Sequence, residues 1–116
     1  VDGEPGQIAD PGLDDRIAVR DCSGEPDPAA AALAWMRAYQ CTPFDLAVDS
    51  PIVTTVLRLS DQRHLVYTRA HHLALDGYGA IRLQQLLAQH YEAALAGTEL
   101  PSTAVDSTAV LAEAEQ

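Results

Sequence analysis

The stretch from Leu65 to Leu95 constrains the fold more than any other part of the chain. An apolar strand pattern, Leu65-Val66-Tyr67-Thr68, leads into a histidine pair, His71-His72, and then to Asp76-Gly77. From Tyr78 the positions Ile81, Leu83, Leu86, Leu87, His90, Tyr91, Ala94 and Leu95 recur at steps of three and four. That spacing predicts an amphipathic helix of about five turns. Gly97 stands where a C-terminal cap belongs, and Pro101 follows it.

The preceding residues supply further elements. Asp27-Pro28 is a helix start, with Asp as N-cap and Pro at the first helical position. Ala29, Ala32, Leu33, Met36 and Tyr39 or Gln40 then follow helical spacing, which predicts an amphipathic helix over 28–40, ended by Pro43. Residues 52–59 are rich in β-branched side chains; Ser60-Asp61-Gln62-Arg63 reads as a turn and 64–72 as the returning strand of a hairpin. Arg16-Ile17-Ala18-Val19-Arg20 alternates polar and apolar residues, as a short strand would. The first 28 residues are otherwise acidic and rich in Gly and Pro, and 101–116 is polar and alanine-rich, with a last helix expected from about Ser107. Trp35 and Tyr39 are read as packing residues, His90 as a packed core histidine on the helical stripe, and His64 as a surface residue.

Bulk properties narrow the function. With 116 residues, one core is the default, and 47% apolar residues suit a globular protein. A net charge of −10 argues against binding nucleic acid or an anionic membrane surface; a solvated acidic exterior accounts for it. All seven basic residues are arginine. Cys22 and Cys41 show no metal-ligand spacing, and no signal peptide or long apolar run accompanies them, so free thiols in a reducing cytoplasm are expected. No metal site is expected.

The run His71-His72-Leu73-Ala74-Leu75-Asp76-Gly77 resembles the HHxxxDG motif of the condensation domains of non-ribosomal peptide synthetases. Upstream, Pro43-Phe44-Asp45-Leu46 and Ser50-Pro51-Ile52 resemble the segment that precedes the paired strands in that family, and Val1-Asp2-Gly3-Glu4-Pro5-Gly6 a hairpin tip between two of its strands. The resemblance implies a chloramphenicol-acetyltransferase-like α/β fold, with residues 1–116 as an incomplete N-terminal half-lobe: a β-hairpin and flanking helices, lacking the lobe's first elements and the whole second lobe. Catalysis by the chain alone is not expected.

It also implies the chemistry, amide formation between a carrier-tethered acyl or peptidyl thioester and an aminoacyl acceptor. Successive side chains on a strand face opposite ways, so His71 and His72 cannot share one cavity if strand geometry persists to the end. Family resemblance puts His72 in the channel and leaves His71 to hold the strand end or loop. His72 would act either as general base for the amine or as hydrogen-bond donor to the oxyanion. Asp76 would be structural, paired with an arginine, either Arg69 or one outside this chain. Gly77 would remove a side chain where the backbone approaches substrate or takes an unusual dihedral, and its N–H would face developing negative charge.

No cofactor is expected to bind directly: phosphopantetheine arrives on peptidyl or aminoacyl carrier domains, with an adenylation domain in the same polypeptide. The products expected are secondary metabolites such as siderophores or antibiotics. Two alternatives stay open. One is an O-acyltransferase of the same superfamily acting on an alcohol; the other is a non-catalytic condensation-like docking module.

Overall fold

The computed structural model describes residues 17–99, in the order β1 (Ala18–Asp21), α1 (Pro28–Gln40), β2 (Ile52–Ser60), β3 (Arg63–Ala70) and α2 (Gly77–Ala96). The first six residues and the helix expected from about Ser107 lie outside them. Two compact units meet at Asp76–Gly77, and each is described by itself.

In the first unit, β2 is the central strand of a three-stranded sheet, order β1-β2-β3. The hairpin predicted from sequence is present: β2 and β3 are antiparallel, Thr55 opposite Tyr67 and Leu57 opposite Leu65, with a bulge between Arg58 and Ser60. On its other edge β2 pairs with β1 in parallel, Ala18 beside Thr55 and Asp21 beside Arg58. A parallel pair needs a crossover of a dozen or more residues, and α1 lies within that crossover.

α1 has the predicted limits, because both ends carry local signals. The Asp27 carboxylate accepts from the Ala30 N–H at 3.0 Å, Pro28 occupies the first turn, and Cys41 caps the last. Its inward face differs in detail from the expected stripe. Ala32 is fully buried, Ala29, Trp35 and Met36 pack beside it, and Leu33 faces outward.

The sheet meets α1 through one face of each strand. Alternation on β2 buries Thr55, Leu57 and Leu59 together with Cys22, and Leu65 and Tyr67 of β3 pack against the same cluster. Leu57 is the largest fully buried side chain, and its burial contributes roughly 1.5–3 kcal/mol. Tyr39 stacks on Trp35 at 4.9 Å between centroids, while Tyr67 meets Trp35 edge-on at 5.9 Å. Both α1 aromatics are therefore packing residues, as expected. Cys22 is buried, Cys41 exposed, and both are free thiols.

At the far end of the sheet, Arg58 bridges Asp21 at 2.7 Å and Asp61. The Ser23 hydroxyl, the Ser23 N–H and then the Arg58 guanidinium hold the Asp21 carboxyl down at about 2.

In the second unit, α2 ends as its sequence predicts. Gly97 takes φ +67, its N–H donates to the Ala94 carbonyl at 3.2 Å, and the Thr98 N–H donates to Ala93 at 2.9 Å. Such paired bonds satisfy carbonyls that a helix end otherwise leaves open. The helix contains no buried residue. His90, expected to be a packed core histidine, is exposed: periodicity places it on the apolar stripe, but that stripe is not buried. No helix among the described residues is long and apolar enough to cross a membrane.

Candidate active site

β3 stops at Ala70, two residues earlier than sequence predicts. His71 extends the ladder by one bond, its N–H donating to the Pro51 carbonyl at 2.8 Å. The chain then turns. The His71 carbonyl accepts from the Ala74 N–H at 2.9 Å and from the Leu75 N–H at 3.3 Å. Strand alternation therefore governs the chain only up to His71, and the direction of His72 is set by the turn.

The two histidines have different surroundings. His71 is half-buried; its Nδ1 accepts from the Leu73 N–H at 3.2 Å, which places the proton of a neutral imidazole on Nε2. The Phe44 ring meets it edge-on, 5.8 Å between centroids. Backbone N–H, carbonyl and ring nitrogen of this one residue thus tie the strand end to the turn. His72 is exposed and makes no hydrogen bond among the described residues.

The segment around Phe44 is braced by its own side chains. The Asp45 carboxylate accepts from the Ala47 N–H at 3.1 Å, and the Asp49 carboxylate accepts from the Asp45 N–H at 2.9 Å. Phe44 is the half-buried residue of that loop, between Arg69 and His71.

Arg69 is held by carbonyls and rings from the end of α1 and the loop after it. Nη1 donates to the carbonyls of Tyr39 and Thr42 at 2.8 and 2.7 Å, at the end of α1 and just beyond it. The guanidinium carbon lies 3.8 Å from the Phe44 centroid and 4.4 Å from that of Tyr39, and the buried Nε meets no acceptor. Sequence reading gave Phe44 no role of its own and did not foresee these contacts of Arg69. The only signal available was the position of an arginine two residues before the histidine pair.

Asp76 is exposed but not without a partner. Gly77 opens α2. The unusual dihedral expected there is absent, since Gly97 is the only described glycine with positive φ, and a Cβ at Gly77 would meet no protein atom within 4 Å. Its helical dihedral by itself does not call for glycine.

A groove of about 640 Å³ runs beside His71 along Tyr67–His71 and is closed by Gln40, Thr42, Pro43 and Phe44. A second, of about 440 Å³, lies across the Arg69–Phe44 contact, towards Val48 and Val53. His72 lines neither. Among the described residues no group of His, Cys, Asp or Glu could hold a metal ion.

The family model described as a condensation domain matches residues 1–116. The isonitrile lipopeptide synthase of Streptomyces coeruleorubidus is 33% identical over 114 residues, covering 98% of this chain and 8% of its own length. The dimodular nonribosomal peptide synthase of Bacillus subtilis (strain 168) is 35% identical over 114 residues, covering 97% and 5%. Among solved structures, the starter condensation domain of the rhizomide synthetase RzmA superposes with TM-score 0.77 at 29% identity, over 94% of this chain and 28% of that one. A mutant of it in complex with C8-CoA and Leu-SNAC gives TM-score 0.77 at 30% identity, over 90% and 24%.

Proposed function

The chain belongs to the condensation-domain family, and from that premise we propose that it is the N-terminal-lobe part of a non-ribosomal peptide synthetase condensation domain that joins a carrier-bound acyl or peptidyl thioester to a carrier-bound amine. The match across 1–116 carries the reading. The acetyltransferase-like α/β fold shared with the rhizomide synthetase domain over 94% of the chain agrees with it. The chain spans 8% or less of the two curated relatives and about a quarter of the solved domains, so the second lobe is assigned to the rest of the polypeptide.

A thioester is already activated. The enzyme must hold the amine nitrogen against the carbonyl carbon, and positioning of this kind supplies ~7–11 kcal/mol. Attack forms the C–N bond and a tetrahedral oxyanion; collapse breaks the C–S bond, and the amine proton ends on the departing pantetheine thiolate. His72 is the histidine with no bond to lose, so its ring is available to accept that proton or to donate to the oxyanion. His71 is already committed to the Leu73 N–H and acts as the anchor. Asp76 and Gly77 join the turn to α2, Asp76 in a structural role. Carrier domains deliver both substrates on phosphopantetheine, an adenylation domain loads them, and the setting is the cytoplasm.

Reconstitution of the parent polypeptide with loaded carriers, read by mass analysis of the tethered product, tests the proposal. An amide-linked product lost in His72→Ala supports it. An ester from an alcohol acceptor, or no transfer with intact carriers, overturns it.

A further inference from the structure

Arg69 is costly for what packing alone would ask of position 69. Its Nε is buried without an acceptor, and an apolar side chain of similar length would fill the space without stranding an N–H. A guanidinium adds a planar cation that lies against two rings while its edge caps carbonyls. Both uses are made here: Phe44 and Tyr39 take the faces, and the carbonyls of Tyr39 and Thr42 take Nη1.

These contacts lead towards the histidine pair. Phe44, held against the cation, sets its ring edge-on to His71. The His71 ring then holds the Leu73 N–H, while the His71 backbone carbonyl holds those of Ala74 and Leu75, the turn in which His72 sits. Phe44 is the ring that lies between the Arg69 cation and the His71 imidazole.

We infer that Arg69 is a positioning residue for condensation: through Phe44 it sets the His71 ring, and through His71 the turn that presents His72. The inference rests on the condensation reading of the site. Arg69→Lys keeps the charge and loses the planar fork; Phe44→Leu keeps the bonds from Arg69 to the carbonyls and removes the ring. The test is single-turnover amide formation by the parent polypeptide with carrier-bound substrates, beside nitrogen-15 spectra of the His71 ring.

A misplaced reacting group costs rate more than binding, so each variant should lose about tenfold or more in the single-turnover rate while KM for both carriers stays within about twofold. The His71 ring should show one Nε2–H tautomer in the parent and an average of two in both variants. Parental rates in folded variants, a change confined to KM, or a rate loss matching the lost native fraction would each overturn the inference. If Arg69→Lys does not fold, Phe44→Leu decides by the same readings. Should parent and His72→Ala alike make no amide, the condensation reading fails, and the His71 tautomer still reports whether Arg69 holds the ring.

Discussion

Before His71 the chain builds a buried core; after it, none of the described residues is buried. All the buried core residues, Cys22, Ala32, Leu57 and Leu59, precede the turn. From His72 to the last described residue nothing is buried, and Leu73 is 80% exposed. Yet α1 and α2 arise from the same kind of local signal. Asp27 caps one helix at its start and Gly97 the other at its end, and each has an apolar stripe. Helix formation answers to spacing and caps, whereas burial needs a partner surface. α1 has one in β2.

The largest effect should separate the two sides. Leu57→Ala leaves a cavity beside Ala32 and should cost ~2–5 kcal/mol by denaturant unfolding, whereas Leu73→Ala should stay within about 0.5 kcal/mol. Equal losses would mean that the turn is packed after all.

His72→Ala sharpens the contrast at the turn itself. The condensation rate with loaded carriers should fall about 100-fold or more, with little change in unfolding midpoint. His71→Ala should instead lower the midpoint, because it removes the Nδ1 that accepts from the Leu73 N–H and the ring that meets Phe44. A midpoint loss in His72→Ala equal to that in His71→Ala would exchange the anchoring role.

The caps allow a smaller comparison. Asp27→Ala should cost about 1 kcal/mol, seen as faster amide exchange at Ala30. Replacing Gly97 by Ala forces a side chain into positive φ and should cost about 1 kcal/mol, read as fraying of the last turn of α2.

The smallest effect is electrostatic. Asp21 lies at about 2, below its ordinary 3.8. A lowered carboxyl stabilises the fold above its unfolded value, and that contribution disappears as pH falls through the folded one. The loss should fall between pH 3.8 and about 2. The Ser23 hydroxyl is the largest cause, so Ser23→Ala should raise the Asp21 midpoint in a carboxyl NMR titration more than Arg58→Gln does. The reverse order would make the ion pair the leading cause.

Legibility followed the range of the interaction. The limits of α1, the hairpin and the Gly97 cap depend on neighbours within a few residues, and all were readable. The parallel pairing of Ala18 with Thr55 was not, because it depends on a crossover whose return no local pattern encodes. His90 was misplaced for a related reason: a stripe shows which side chains share a face, not whether that face is covered. At the candidate site, the motif brought His71, His72, Asp76 and Gly77 into view through family resemblance, but alternation, which ends at His71, did not decide the surroundings of His72. The early end of β3 and the role of Arg69 lay beyond it.

The residue order by itself therefore determined the elements, most of their limits, the hairpin, and the family through its motif. Only tertiary structure decided that β1 joins β2 in parallel, that His71 is bonded while His72 is exposed, and that Arg69 lies against Phe44 and Tyr39. The physical reason is directional. Periodicity and caps act along the chain, whereas a guanidinium chooses among acceptors and ring faces brought near by folding, and at position 69 two carbonyls and two rings from the end of α1 and the loop after it were the groups within reach.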